Sequence, residues 1–111
     1  MIYHITDKAT WLKASGSKNF KAESLDTEGF IHCSPVDKLL KVANSFYKEH
    51  TDLLILSIDE SKVKSKIIRE DLYGHGFEFP HIYGELNLDA VIKISDFKRG
   101  ENGSYVLPDK I

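Results

Sequence analysis

The sequence is poor in several things. It holds one cysteine, Cys33, so no intrachain disulfide can form. It has no basic surplus: 15 Lys and Arg stand against 17 Asp and Glu, for a net charge of −2 with histidines neutral. Nucleic-acid binders usually neutralise phosphates with such a surplus, so the charge does not indicate RNA as a partner. No apolar run approaches the ~20 residues that cross a bilayer, and no membrane association is expected. The first residues lack the basic-then-apolar layout of a signal peptide, and a cytoplasmic location is expected. No phosphate-loop or dinucleotide glycine fingerprint is present. The three prolines and seven glycines sit at element boundaries, with no linker or repeat between them, so one domain over 1–111 is expected.

The patterning is that of an α+β chain. Residues 2–6 are rich in strand formers. Thr6 or Asp7 can cap a short helix through Ala9, Trp11, Leu12 and Ala14, stopped by Gly16. Residues 17–28 read as a polar loop anchored by Phe20 and Leu25, and 29–33 as a short strand. The next helix has Ser34 at its N-cap, Pro35 at its first position and Asp37 three residues on. Its apolar stripe, Val36, Leu39, Leu40, Ala43, Phe46 and Tyr47, is expected on the core. The apolar run 52–58 predicts a central strand buried on both faces. Lys62, Lys64 and Lys66 suit a turn or edge strand. Ile67-Ile68, 81–83, the alternating 90–95 and 104–107 complete the strands, with 73–80 as loop.

Three histidines stand out for chemistry. His4 lies in the first strand and is either a structural histidine bonded to backbone or a ligand-facing one. His32 ends a strand just ahead of the capped helix, whose positive N-terminal end could receive an anion. Cys33 points away from His32 because neighbouring strand residues face opposite ways, so it reads as a buried small hydrophobe. His81 lies in the aromatic stretch Phe77–Leu86. The expectation is that His4, His32 and His81 converge on one cleft as catalytic residues, with Phe30, Ser34 and Tyr83 binding the ligand. No local motif pairs two metal ligands, so no metal is expected; a three-histidine metal enzyme is the lesser alternative. His50 suits the end of the second helix and His75 an exposed loop.

Ile2-Tyr3-His4-Ile5, Glu28-Gly29-Phe30-Ile31-His32-Cys33-Ser34 and Phe79-Pro80-His81-Ile82-Tyr83-Gly84 together resemble the bacterial and plant domain-of-unknown-function family nine-five-two. The likeness extends over nearly the whole chain. It implies a fold similar to ADP-ribosyltransferases and RNA 2′-phosphotransferases: a split sheet of short mixed or antiparallel strands, with two helices in the N-terminal half. It also implies NAD as the candidate cofactor, an ADP-ribose-like or other nucleotide ligand, and transfer of an ADP-ribosyl or phosphoryl group. By the same resemblance His4 would bond a ribose hydroxyl, and the Gly29–Ser34 strand with the helix that follows it would line the nicotinamide pocket. Glu78, His81 and Glu85 are candidates for the residue orienting the nucleophile. The family pattern carries proline where this chain has Glu85, so Glu85 is not carried over. A non-catalytic nucleotide or metabolite binder is the alternative of a different class.

Overall fold

A computed structural model describes residues 1–109 and 111. Strand β1 (Ile2–Asp7) leads into helix α1 (Lys8–Ala14), whose N-cap is Asp7, accepting from the Thr10 N–H at 2.7 Å. Next come β2 (Asn19–Phe20), α2 (Glu23–Thr27), β3 (Ile31–His32) and α3 (Leu39–Phe46). The second half is almost all strand: β4 (Leu53–Ile58), β5 (Lys66–Glu70), β6 (Phe79–Tyr83), β7 (Leu86–Asn87), β8 (Val91–Arg99) and β9 (Tyr105–Val106). The result is a mixed α+β domain with few helices. It has three α-helices within the first 46 residues, where two were expected. The extra one is α2, inside the segment read as loop; at five residues it carries too short a periodic signal to recognise.

Every strand pairing is antiparallel. One sheet runs β1-β4-β8-β9, a second β3-β6-β5, and β2 pairs with β7. The first two join where Tyr3 and Ser34 exchange backbone hydrogen bonds of 2.9 and 2.8 Å, giving one curled sheet. Strand β4 lies between β1 and β8 and is buried along its whole length, as its unbroken apolar run requires. The three lysines sit around the turn Glu60–Lys62 and at the start of β5, an edge strand.

The pleat sorts side chains into two clusters. Ile2, Phe20, Ile31, Cys33, Leu56 and Ile82 pack on one face. Tyr3, Ile5, Leu53, Ile55, Phe97 and Tyr105 pack on the other, under Leu39 and Ala43 of α3.

Two local expectations are corrected. Ser34 caps no helix: its hydroxyl donates to the Pro35 carbonyl, and Pro35 precedes a 3-10 turn, Val36–Lys38, before α3 begins. The cap position of that turn is Pro35, so Ser34 stands one residue too early to cap it. Second, the stripe on α3 is narrower than its apolar residues suggest. Leu39 and Ala43 are buried, whereas Val36 and Phe46 are exposed. Strand β8 is half-buried, as its alternation suggests: Ser95 and Phe97 oppose Ile55 and Leu53 and share their face, while Ile92 and Ile94 are exposed. A bulge between Ser57 and Ile58 leaves Ile92 without a paired residue.

Candidate functional site

A cleft of about 430 Å³ opens between α3 and the small β3-β6-β5 sheet. Tyr3 and Ile5 of β1 form its floor, and Val42, Phe46 and Tyr47 give the wall on the helix side. The β5–β6 loop supplies Asp71, Leu72, Tyr73 and His75. His32, Cys33, Ser34, Glu70, Phe79 and His81 complete it from the side of the small sheet. The lining is mostly aromatic and aliphatic with a few convergent polar groups, the usual makeup of a small-molecule pocket.

Strand parity decides which side chains arrive there. Directly opposed residues of an antiparallel pair share a face. Tyr3 opposes Ser34, so His32, two residues earlier, shares Tyr3's face; His32 opposes His81, which joins it. His4 is one residue from Tyr3 and faces the other way. Its ring packs edge-on against Phe20 at 5.4 Å, in the opposite cluster. The expected convergence of three imidazoles is therefore corrected to two. His4 is the structural histidine of the two alternatives: Nδ1 lies 2.5 Å from the His32 carbonyl. A carbonyl only accepts, so the proton sits on Nδ1. Burial holds its pKa down at about 4, against a smaller upward pull from that hydrogen bond.

His81 is the centre of the site. It is 2% exposed, and its Nδ1 lies 2.8 Å from Glu70 Oε2. The Tyr83 hydroxyl donates to the same carboxylate oxygen. Because a carboxylate accepts, Nδ1 carries the proton in the neutral ring and Nε2 is left basic. Among the described residues Nε2 has no hydrogen-bond partner, yet it is not sealed from solvent. Phe30 stacks on the imidazole at 4.2 Å between ring centres and also abuts His32 at 4.8 Å. Phe30 is itself buried, so it supports the two rings and does not line the cleft. Tyr83 likewise holds Glu70 from outside the lining.

A second, more exposed set repeats the arrangement. His32 Nε2 lies 2.7 Å from Glu28 Oε2, and the Tyr73 hydroxyl donates to Glu28 Oε1 at 2.5 Å. The two imidazole centres are 5.3 Å apart. Gly29, at φ 89°, makes the turn between α2 and β3 that sets Glu28 beside His32. The Tyr83 phenol, then His81, hold the Glu70 carboxyl below its usual range; Tyr73, then His32, do so for Glu28. Conversely, Glu70 raises the Tyr83 phenol to about 12.

No nucleophile is prepared here. Cys33 borders the cleft but packs into the opposite cluster, and burial pushes its thiol well up. Ser34 borders the cleft, but its hydroxyl is spent on the Pro35 carbonyl. Among the described residues no group of three or more His, Cys, Asp or Glu is arranged to hold a metal. Nor is any helix there long and apolar enough to cross a membrane.

Sequence reasoning missed Glu70 and Tyr73, while a wall from the helix after Ser34 was implied by the family resemblance alone. Glu70 reaches His81 through the β5–β6 register, which pairs Ile68 with His81 and Glu70 with Phe79. The intervening loop is too long for that register to be read from turn type. Glu28 was visible in its motif, though without a partner. His75 is exposed as expected, and it also borders the cleft.

Fold and cleft together define a small antiparallel α+β domain with a pocket carrying two carboxylate–histidine pairs. The chain belongs to the family described as "Protein of unknown function (DUF952)", which matches residues 5–94. The crystal structure of protein CC0527 from Caulobacter crescentus is similar: 25% identity, TM-score 0.85, over 96% of this chain and 93% of that one. A double mutant of CC0527 gives a TM-score of 0.84 at the same identity and coverage. Its solution NMR structure gives 0.75 at 23% identity, over 99% of this chain and 95% of that one. No curated protein matches the chain. The family resemblance read from the three sequence blocks is thus borne out, while the likeness to ADP-ribosyltransferases rests on resemblance alone.

Proposed function

We propose that the cleft binds a nucleoside-like small molecule and performs acid–base chemistry on it, with His81 as the proton-transferring group. The observation that carries this is the chain Tyr83–Glu70–His81, which ends in an Nε2 with no hydrogen-bond partner among the described residues, beside the cleft. A base oriented by a carboxylate, itself oriented by a third group, is the layout in which an imidazole takes a proton while the carboxylate stabilises the resulting cation. His32, held by Glu28, is the second such group and can supply a proton to a leaving group. The aromatic walls suit a flat base, and the imidazoles suit sugar hydroxyls.

The reading keeps part of the resemblance to ADP-ribosyltransferases and RNA 2′-phosphotransferases, including NAD as a source of a nucleoside. The pyrophosphate of NAD has little to bind it. Among the described residues the lining holds no Lys or Arg, and Ser34 opens no helix there. With no free nucleophile among the described lining residues, the acceptor would be water: His81 Nε2 takes its proton as the oxygen bonds to the sugar C1′ and the glycosidic bond breaks, and the departing base takes a proton from protonated His32.

Thermal-shift measurements with adenosine, guanosine, NAD and ADP-ribose test binding. A ligand at 100 times its Kd adds about 2.7 kcal/mol. Nucleosides are expected to raise Tm, and His81→Gln to weaken their binding. Release of free base by the native protein, lost in His81→Gln while binding persists, identifies proton transfer. Binding with no release in the native protein leaves a binding module. No shift with any of the four compounds ends the nucleoside reading.

A further inference from the structure

We infer that the cleft selects an organic cation: a flat heteroaromatic ring carrying a positive charge, in preference to its neutral or anionic counterpart. This rests on the reading of the cleft as a nucleoside-like ligand site and specifies the ligand's charge. Glu70 and Asp71 line the cleft, and Glu28 stands behind His32. Among the described residues no Lys or Arg joins that lining. Lys38 and Lys41 place their ammonium groups over the Phe77 ring, 4.3 and 5.4 Å from its centre, and neither lysine nor Phe77 borders the cleft.

The carboxylates are bonded by phenols, imidazoles and backbone N–H groups. Tyr83 and His81 serve Glu70, Tyr73 and His32 serve Glu28, and the N–H groups of His75 and Gly76 serve Asp71 at 2.8 and 2.9 Å. These bonds favour the charged form of each acid, and all three are held below their usual range. A partly enclosed site strengthens the field of such charges relative to open water. Around it stand the rings of Tyr3, Phe46, Tyr47, Tyr73 and Phe79. Aromatic faces attract cations and do nothing comparable for anions. The buried His81, whose Nε2 has no partner among the described residues, marks the same cavity independently as a place where a ligand atom completes the hydrogen bonding. A phosphate brought there would meet three like charges; a quaternised base would meet opposite charge and π-surface together.

The test is calorimetric titration of the full chain with a matched series: 1-methyladenosine, whose base is cationic at neutral pH, adenosine, and adenosine monophosphate. The cation is expected to bind about tenfold more tightly than adenosine, and the monophosphate about tenfold more weakly. Asp71→Asn is expected to shrink the ratio of the first two affinities several-fold. That ratio is internal to one protein sample and is insensitive to any loss of folded fraction. Equal affinities, or tightest binding by the monophosphate, would overturn the charge inference and leave the nucleoside reading standing. Absence of binding by all three removes both.

Discussion

At the scale of single residues, the division of labour between His4 and His81 follows from what each ring meets. His4 has a carbonyl on one nitrogen and Phe20 beside the ring, so it gains nothing by charging. Its folded pKa of about 4 lies below the ordinary histidine value of 6.5. The unfolded chain therefore takes up a proton first as pH falls, and the contribution of neutral His4 is intact above 6.5 and lost on the way down to about 4. The span corresponds to about 3 kcal/mol of stability. Denaturant midpoints measured between pH 7 and 4 should fall for the native protein and fall much less for His4→Asn, which keeps a donor toward the His32 carbonyl. A matching decline in both proteins would show that His4 is not the titrating group. Glu28 and Glu70 act at lower pH. Their folded pKa values are depressed, so their contribution is present above the ordinary carboxylate range and is lost as pH drops through the folded values.

Two buried serines carry a smaller lesson. The hydroxyls of Ser57 and Ser95 have no hydrogen-bond partner among the described residues. Removing an unmet hydroxyl takes away its desolvation cost. Ser57→Ala is expected to raise stability by about 1 kcal/mol in urea melts; a clear loss would mean that the hydroxyl is bonded in solution.

At the scale of elements, α3 has two separate tasks. Leu39 and Ala43 hold it on the sheet, while Phe46, 63% exposed, faces the cleft. Leu39→Ala should cost roughly 2–5 kcal/mol by leaving a cavity. Phe46→Ala should cost under about 1 kcal/mol, as surface changes do, yet weaken binding of the nucleoside series. Equal stability losses in the two variants would contradict this assignment. The β5–β6 loop is held at its tip by the Tyr73–Glu28 bond and within itself by Asp71. Tyr73→Phe removes the first of these, and amide exchange over 72–78 should quicken while β4 keeps its protection. Unchanged exchange would show that the hydroxyl does not restrain the loop.

At the scale of the whole molecule, one sheet serves both clusters. Strand β4 is buried on each face, so neither cluster can come apart without exposing it. Unfolding is expected to be two-state. Trp11 is the only tryptophan and packs against the first cluster. Its fluorescence should therefore report the same midpoint as far-ultraviolet circular dichroism, and separated midpoints would mean that the clusters melt independently. The curled sheet also makes the site. The small sheet joins β1 at the Tyr3–Ser34 bridge, and residues from both sides of that bridge and from α3 line the opening.

Much was legible in the linear sequence because it depends on near neighbours. The apolar run 53–58 dictated a central strand, Asp7 capped α1, and the opposite facing of His32 and Cys33 followed from the alternation of any strand. The family blocks were legible for the same reason, being contiguous. What only the tertiary structure decided was register. Whether His4 or Tyr3 shares a face with His32 depends on the pairing of Tyr3 with Ser34, 31 positions apart. Whether Glu70 meets His81 depends on how β5 pairs across a long loop. A shift of one residue in either pairing turns a side chain from core to cleft, and nothing local in the sequence fixes such a shift.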